Sequence, residues 1–115
     1  MVDRRRYVRI PVIINIEVFS GTETHKGVIV NVGAGGLGLL LTKTFECGTE
    51  IILSFKLNNK ILEKIKGSIV RSEMFGDQFY SFIGINFKGL DEFKRVEINK
   101  FVLDRKLEQY GFKPK

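Results

Sequence analysis

The sequence is 115 residues long, a size for one compact domain that leaves little room for a second core. Its 43% hydrophobic and 28% charged residues, with a mean hydropathy of +0.00, belong to a globular chain and exclude a disordered or fibrous one. No apolar run approaches the ~20 residues that span a bilayer, and no hydrophobic signal segment follows the polar start, so a cytoplasmic protein with no membrane span is expected. One cysteine, Cys47, cannot close an internal disulfide, and one histidine, His25, cannot found a histidine metal cluster.

Nineteen Lys and Arg against thirteen Asp and Glu give a formal charge of +6, which favours an anionic partner. The charge is placed unevenly. Arg4, Arg5, Arg6 and Arg9 crowd the start, so residues 1–9 read as a flexible arginine-rich arm.

After the arm, Ile10, Val12, Ile14, Ile16 and Val18 occupy every even position, the pattern of a strand with one buried face. Ser20 to Glu23 supply turn chemistry, and Val28, Val30 and Val32 resume the alternation, which predicts a β-hairpin. Further strands are expected over 37–41, 51–57, 61–70 and 79–87, with Gly48-Thr49, Asn58-Asn59 and Gly76-Asp77 between them. Six locally connected strands in so short a chain predict an all-β fold over residues 10–87, with antiparallel strands closed into a small barrel or stacked as a sandwich. Parallel architecture is disfavoured, because no helix-patterned interval precedes Lys88.

Asp91 then reads as an N-cap, and a single C-terminal helix is predicted over 91–110, ended by Gly111. Its apolar residues form two stripes. Ile98, Phe101 and Val102 can cover the barrel. Val96, Leu103, Leu107 and Tyr110 exceed what a lone domain needs and are expected either to make a protein contact, including a homodimer through this helix, or to pack at the helix end.

Residues 33–38 read GAGGLG, the spelling of a dinucleotide-binding turn. That chemistry requires a helix starting in the loop, whereas a strand-like Leu39-Leu40-Leu41 follows, and no Lys with Ser or Thr closes a Walker loop. The glycines instead offer a sharp strand connection that another surface can approach closely. A hairpin centred near Gly21 and Thr22 sets Ile10 opposite residue 32 or 33, so Arg9 falls beside Asn31 and these glycines. Guanidinium groups, an amide and an open turn on one surface suit a guanine nucleotide.

At this point the sequence resembles the PilZ domain family, small antiparallel β-barrels that bind the bacterial messenger cyclic di-GMP. The family's R-x-x-x-R motif before the first strand is matched by Arg5-Arg6-Tyr7-Val8-Arg9, and its [D/N]-x-S-x-x-G motif by Asn31 and Gly36, with Gly33 in the place of the serine. Gly67 to Arg71 and Gly84 to Phe87 are similar to its later strands. The resemblance implies that Arg5 and Arg9 grip guanine and phosphate, that Asn31 contacts a guanine edge, and that Gly36 keeps the turn open. Arg4 stands where the family's arginine for an intercalated ligand pair stands, and Arg71 is a further candidate for a supporting contact. At Gly33, loss of a hydroxyl hydrogen bond to a charged ligand costs about 1.5–3 kcal/mol, or about ten- to a hundredfold in affinity.

The expected function is therefore that of a non-catalytic second-messenger receptor with no cofactor and no metal, whose arm is ordered by cyclic di-GMP and then presents a surface to an effector protein. The alternative is a degenerate PilZ-like interaction module that does not bind the nucleotide. A nucleic-acid polymer is not expected as partner, since no row of stacking aromatics lies on a basic strand. With the one histidine in a hairpin, no Ser-His-Asp or Cys-His set is expected for catalysis; His25 reads as an exposed strand residue, Cys47 as a partly buried small apolar group, and the ten phenylalanines as mainly core, with Phe79, Tyr80 and Phe82 offering at most one base-stacking ring.

Overall fold

Alternating sequence becomes six strands in the computed structural model, which describes residues 7–75 and 79–111. They are β1 (Arg9–Ser20), β2 (Glu23–Gly33), β3 (Gly36–Leu41), β4 (Glu50–Leu57), β5 (Lys60–Phe75) and β6 (Tyr80–Phe87), followed by helix α1 (Glu92–Glu108). All pairings are antiparallel, and the order β1-β2-β3-β6-β5-β4 closes into a barrel. The expected all-β barrel with one C-terminal helix is the fold observed.

Two tight turns set the hairpins. Ser20 pairs with Glu23 across Gly21-Thr22, with Gly21 at φ +60°. Leu57 pairs with Lys60 across Asn58-Asn59, with Asn58 in the left-handed region that asparagine tolerates. Strand β2 begins at Glu23 rather than Val28, because the turn carries polar Thr24, His25 and Lys26 into register with β1. The Gly76-Asp77 turn lies outside the described residues.

Aliphatic side chains fill the barrel. Ile29, Val32, Leu37, Leu39, Leu53 and Ile85 are fully buried, as a narrow interior of opposed strands favours. The phenylalanines correct the reading of them as core: among the described residues only Phe55 and Phe101 are buried, whereas Phe79 and Phe93 are exposed. Cys47 is likewise exposed rather than partly buried, on the β3–β4 connection beside the turn that Thr49 closes by donating to the Glu46 carbonyl. His25 is half-buried, its ring edge-on to Phe45 with centroids 5.7 Å apart.

Four register shifts interrupt the ladders. An extra residue at Val30 lets Ile29 and Val32, three apart, both face inward. Asn31 is thereby turned outward. An extra residue at Val70 does the same for Arg71, two positions after buried Ile69. Such bulges re-aim side chains and sharpen local twist.

Helix α1 lays Ile98, Phe101 and Val102 against the barrel. Its other apolar stripe, with Val96, Leu103, Leu107 and Tyr110, is exposed, as is Phe93. Hydrogen bonds from Tyr110 N to Leu107 O and from Gly111 N to Glu108 O close the C-terminal end. At the N-terminus the Asp91 carboxylate accepts the Lys94 N–H at 2.9 Å. That bond, with the Lys94 ammonium, holds the Asp91 pKa below its ordinary 3.8. A depressed carboxyl pKa stabilises the fold above its unfolded value, and the contribution is lost as pH falls through the folded one. The helical far-UV signal is therefore expected to fall on acidification from about pH 5 to about pH 2, and to fall less in Asp91→Asn, whose side chain caps without titrating.

Candidate functional site

The β1–β2 register brings the arm's last arginine onto the glycine turn. Arg9 pairs with Gly33, Ile10 with Val32 and Pro11 with Asn31. Arg9 Nη1 donates to Asn31 Oδ1 at 3.4 Å, a long contact. The sequence-derived adjacency of Arg9, Asn31, Gly33 and Gly36 is present in the structure. Arg4 and Arg5 lie outside the described residues.

Close backbone approach explains the glycines. A Cβ on Gly33 would sit 2.5 Å from the Val8 carbonyl oxygen and 2.9 Å from Arg9 Cγ. One on Gly36 would collide with the Ile85 carbonyl oxygen and lie 2.9 Å from Arg9 Nη2. Side chains are excluded here because strand backbone and the Arg9 guanidinium take their place.

Across the outer face a single row continues from this turn. Asn31 pairs with Gly38, Gly38 with Gly84 and Gly84 with Arg71. Over Gly38 lie the Phe82 ring and the Asn31 amide, 2.6 and 2.7 Å from where a Cβ would be. The Arg71 guanidinium lies over the Phe82 ring at 5.2 Å. Glu73 holds it by a two-point contact, Nε to Oε1 at 2.9 Å and Nη2 to Oε2 at 3.0 Å. These bonds keep the Glu73 carboxyl below its ordinary 4.5 and raise Arg71.

A second arginine reaches the turn from the helix. Arg95 Nη1 donates to the Ala34 carbonyl at 3.2 Å, and its guanidinium lies 5.3 Å from the centre of the Tyr7 ring. Tyr7 in turn covers Gly35, where a Cβ would meet the ring at 3.1 Å. The start of the chain, the β2–β3 turn and α1 thus meet at one point.

Sequence reasoning did not find Arg95. Its signal was available: Arg95, Ile98 and Val102 follow the i, i+3, i+7 spacing of the buried helix face, so the stripe extended back by one turn ends on this residue. Arg71 and Phe82 are both legible in the sequence, but their contact depends on the β5–β6 register, which sets Arg71 opposite Gly84 and Glu73 opposite Phe82. In chemical terms the surface offers fixed guanidinium donors, an amide that can both donate and accept, and small-residue backbone that a planar anionic ligand can approach.

Gly33 yields a test. Restoring the motif serine by Gly33→Ser places a Cβ against the Val8 carbonyl, so the unfolding midpoint is expected to drop by several degrees, reflecting the about 1–3 kcal/mol of overpacking. Thermal unfolding checks this, and the backbone resonances of Val8 and Arg9 are expected to move most. An unchanged midpoint would contradict the close approach.

Solved structures share this architecture. The inhibitor of motility MotI/DgrA of Bacillus subtilis superposes with a TM-score of 0.83 at 17% identity, over 94% of this chain and 54% of that one. The PilZ domain of YcgR from Escherichia coli, solved with c-di-GMP, gives 0.72 at 13% identity, over 95% of this chain and 98% of that domain. The K. pneumonia MrkH–c-di-GMP complex gives 0.73 at 21% identity, over 95% of this chain and 55% of MrkH. The chain thus spans about half the length of MotI and MrkH. No curated protein sequence matches it. The profile of the PilZ domain does match, over residues 3–104, and with a barrel of the same build beneath that match the chain belongs to the PilZ domain family.

Proposed function

We propose that this chain is a non-catalytic receptor for cyclic di-GMP, held by Arg9 and Asn31 beside the Gly33–Gly36 turn with Arg4 and Arg5 of the preceding segment. The observation that carries this reading is the packing of Arg9 against both Asn31 and the turn glycines. Family membership and the c-di-GMP complexes of YcgR and MrkH support the choice of ligand. The ligand's two negative charges accept charge-assisted hydrogen bonds from the guanidinium groups, while the Asn31 amide matches a guanine edge. Arg4 extends the contact to an intercalated ligand pair. With no hydroxyl at Gly33, its backbone amide is the donor that remains there.

The signal is carried by the arm. Tyr7, Val8 and Arg9 already pack on the glycine turn; ligand charge fixes the arginines that precede them across the barrel, and the arm and ligand together form the surface that an effector protein meets. No chemistry is performed on the ligand. Among the described residues no helix is long and apolar enough to cross a membrane.

A second copy of the chain is the proposed partner of α1. Phe93, Val96, Lys100, Leu103, Leu107 and Tyr110 follow one another at steps of three and four, all exposed, the spacing of a coiled-coil seam. A lone lysine in its middle is the kind of polar interruption that sets register. Lys60 flanks the seam and pairs with Glu97 at 2.7 Å. Sedimentation of the native chain is expected to show a concentration-dependent dimer that Leu103→Asp abolishes; a monomer at high concentration would contradict this partner.

Calorimetric titration with cyclic di-GMP tests the receptor. Heat is expected with the native chain and at least tenfold weaker binding in Arg5→Ala and in Arg9→Ala, as loss of a charge-assisted hydrogen bond implies. Absence of heat with the native chain would favour an interaction module that does not bind the nucleotide, the reading that Gly33 in place of serine would explain. Equal hydrogen-exchange protection of residues 1–9 with and without ligand would overturn the arm mechanism alone.

A further inference from the structure

Arg95 lies at the wrong end of its helix for a cation. It closes the first turn of α1, its N–H donating to the Asp91 carbonyl at 3.0 Å, and there the helix macrodipole is positive and opposes positive charge. Nor is it required to seat the helix, because Ile98, Phe101 and Val102 are buried against the barrel. Among the described residues no carboxylate pairs with it. Its side chain turns instead to two neutral groups. Nη1 donates to the Ala34 carbonyl at 3.2 Å, and the guanidinium lies over the Tyr7 ring, 5.3 Å from its centre.

Tyr7 is the middle residue of Arg5-Arg6-Tyr7-Val8-Arg9, two positions from each motif arginine. It precedes the first ladder pair, Arg9 with Gly33. The half-buried ring packs against the core and covers Gly35, whose carbonyl accepts the Phe87 N–H at 3.0 Å. Arg95 therefore grips both halves of one contact: the turn, at Ala34, and the ring laid on the residue after it. Arginine suits the place, since a guanidinium can rest a flat face on an aromatic ring while its N–H edge serves a carbonyl. The segment that carries Arg4 and Arg5 starts from Tyr7, so fixing the ring fixes that origin. A binding segment that is correctly placed only part of the time loses affinity in proportion to that fraction.

We infer that Arg95 is a positioning residue of the ligand site: from α1 it clamps Tyr7 onto the β2–β3 turn and sets the root of the arginine arm before the ligand arrives. The inference rests on the receptor reading for its ligand, and it gives α1 a part in binding that neither sequence motif contains.

Two measurements on the native chain, Arg95→Met, Tyr7→Leu and the double variant test the clamp. In the absence of ligand, the amides of Val8 and Arg9 are expected to exchange about tenfold faster in Arg95→Met, while those of Ile29 and Ile85 in the barrel keep their native rates. In calorimetric titration with cyclic di-GMP, each single variant is expected to bind about tenfold more weakly, and the double variant about as weakly as either. That non-additivity separates positioning from charge: Tyr7→Leu leaves the charge unchanged, and a purely electrostatic loss at Arg95 would add to it. Native exchange at Val8 and Arg9, native affinity in Arg95→Met, or losses that add in the double variant would each overturn the clamp. So would exchange that rises uniformly through the barrel, which marks a general loss of stability. In all these cases the native chain still binds and the receptor reading stands. No heat from the native chain would remove both.

Discussion

Backbone approach at the β2–β3 turn is the constraint on which the rest of the molecule depends. Gly33 lies under the Val8 carbonyl, and Gly36 under the Ile85 carbonyl and the Arg9 guanidinium. Three pieces of chain from remote parts of the sequence come closer here than any side chain would allow. Tyr7 covers Gly35 and Arg95 binds the Ala34 carbonyl, so aromatic and cationic groups fill the outside of a turn that has almost no side chains. The site is built by deletion of side chains from the turn and by their import from its neighbours.

Charge is distributed with a similar economy. The net charge of +6 suggests an anion-seeking surface, yet several cations on the barrel and its connections are committed to acids. Lys43 pairs with Glu23, Lys60 with Glu97 and Arg71 with Glu73. These pairs are exposed, where each contributes only about 0–1 kcal/mol. Their importance lies in geometry, above all at Arg71, where the carboxylate fixes the guanidinium by its Nε and Nη2 edge.

Much of this was legible in the sequence, and the failures have particular causes. The Gly21-Thr22 turn and the alternation around it place Arg9 beside the glycines, because a two-residue connection fixes register for every residue that follows. Even so the extra residue between Pro11 and Ile14 moves the pairing by one, which is why Ile10 faces Val32 and not Gly33. Bulges at Val30 and Val70 break parity where Asn31 and Arg71 turn outward, and no local pattern announces them. Phenylalanine was misjudged for a reason of space. The barrel interior is filled by Ile, Leu and Val, and much of the aromatic surface stays at the margins, as at Phe79 and Phe93. Cys47 follows the same logic, being on a connection that the closed sheet leaves outside.

The barrel's own closure has a last consequence. The seam between β1 and β4 is brief, running only from Ile16 opposite Phe55 to Phe19 opposite Ile52. The earlier part of β1 is laddered to β2 alone among the described residues. Such a margin invites a foreign strand to add itself and propagate into a fibre. Pro11 lacks the N–H that an incoming strand would need, and the irregularity just after it spoils the spacing of the groups that remain. The gap is therefore guarded against edgewise polymerisation, and recognition is left to side chains.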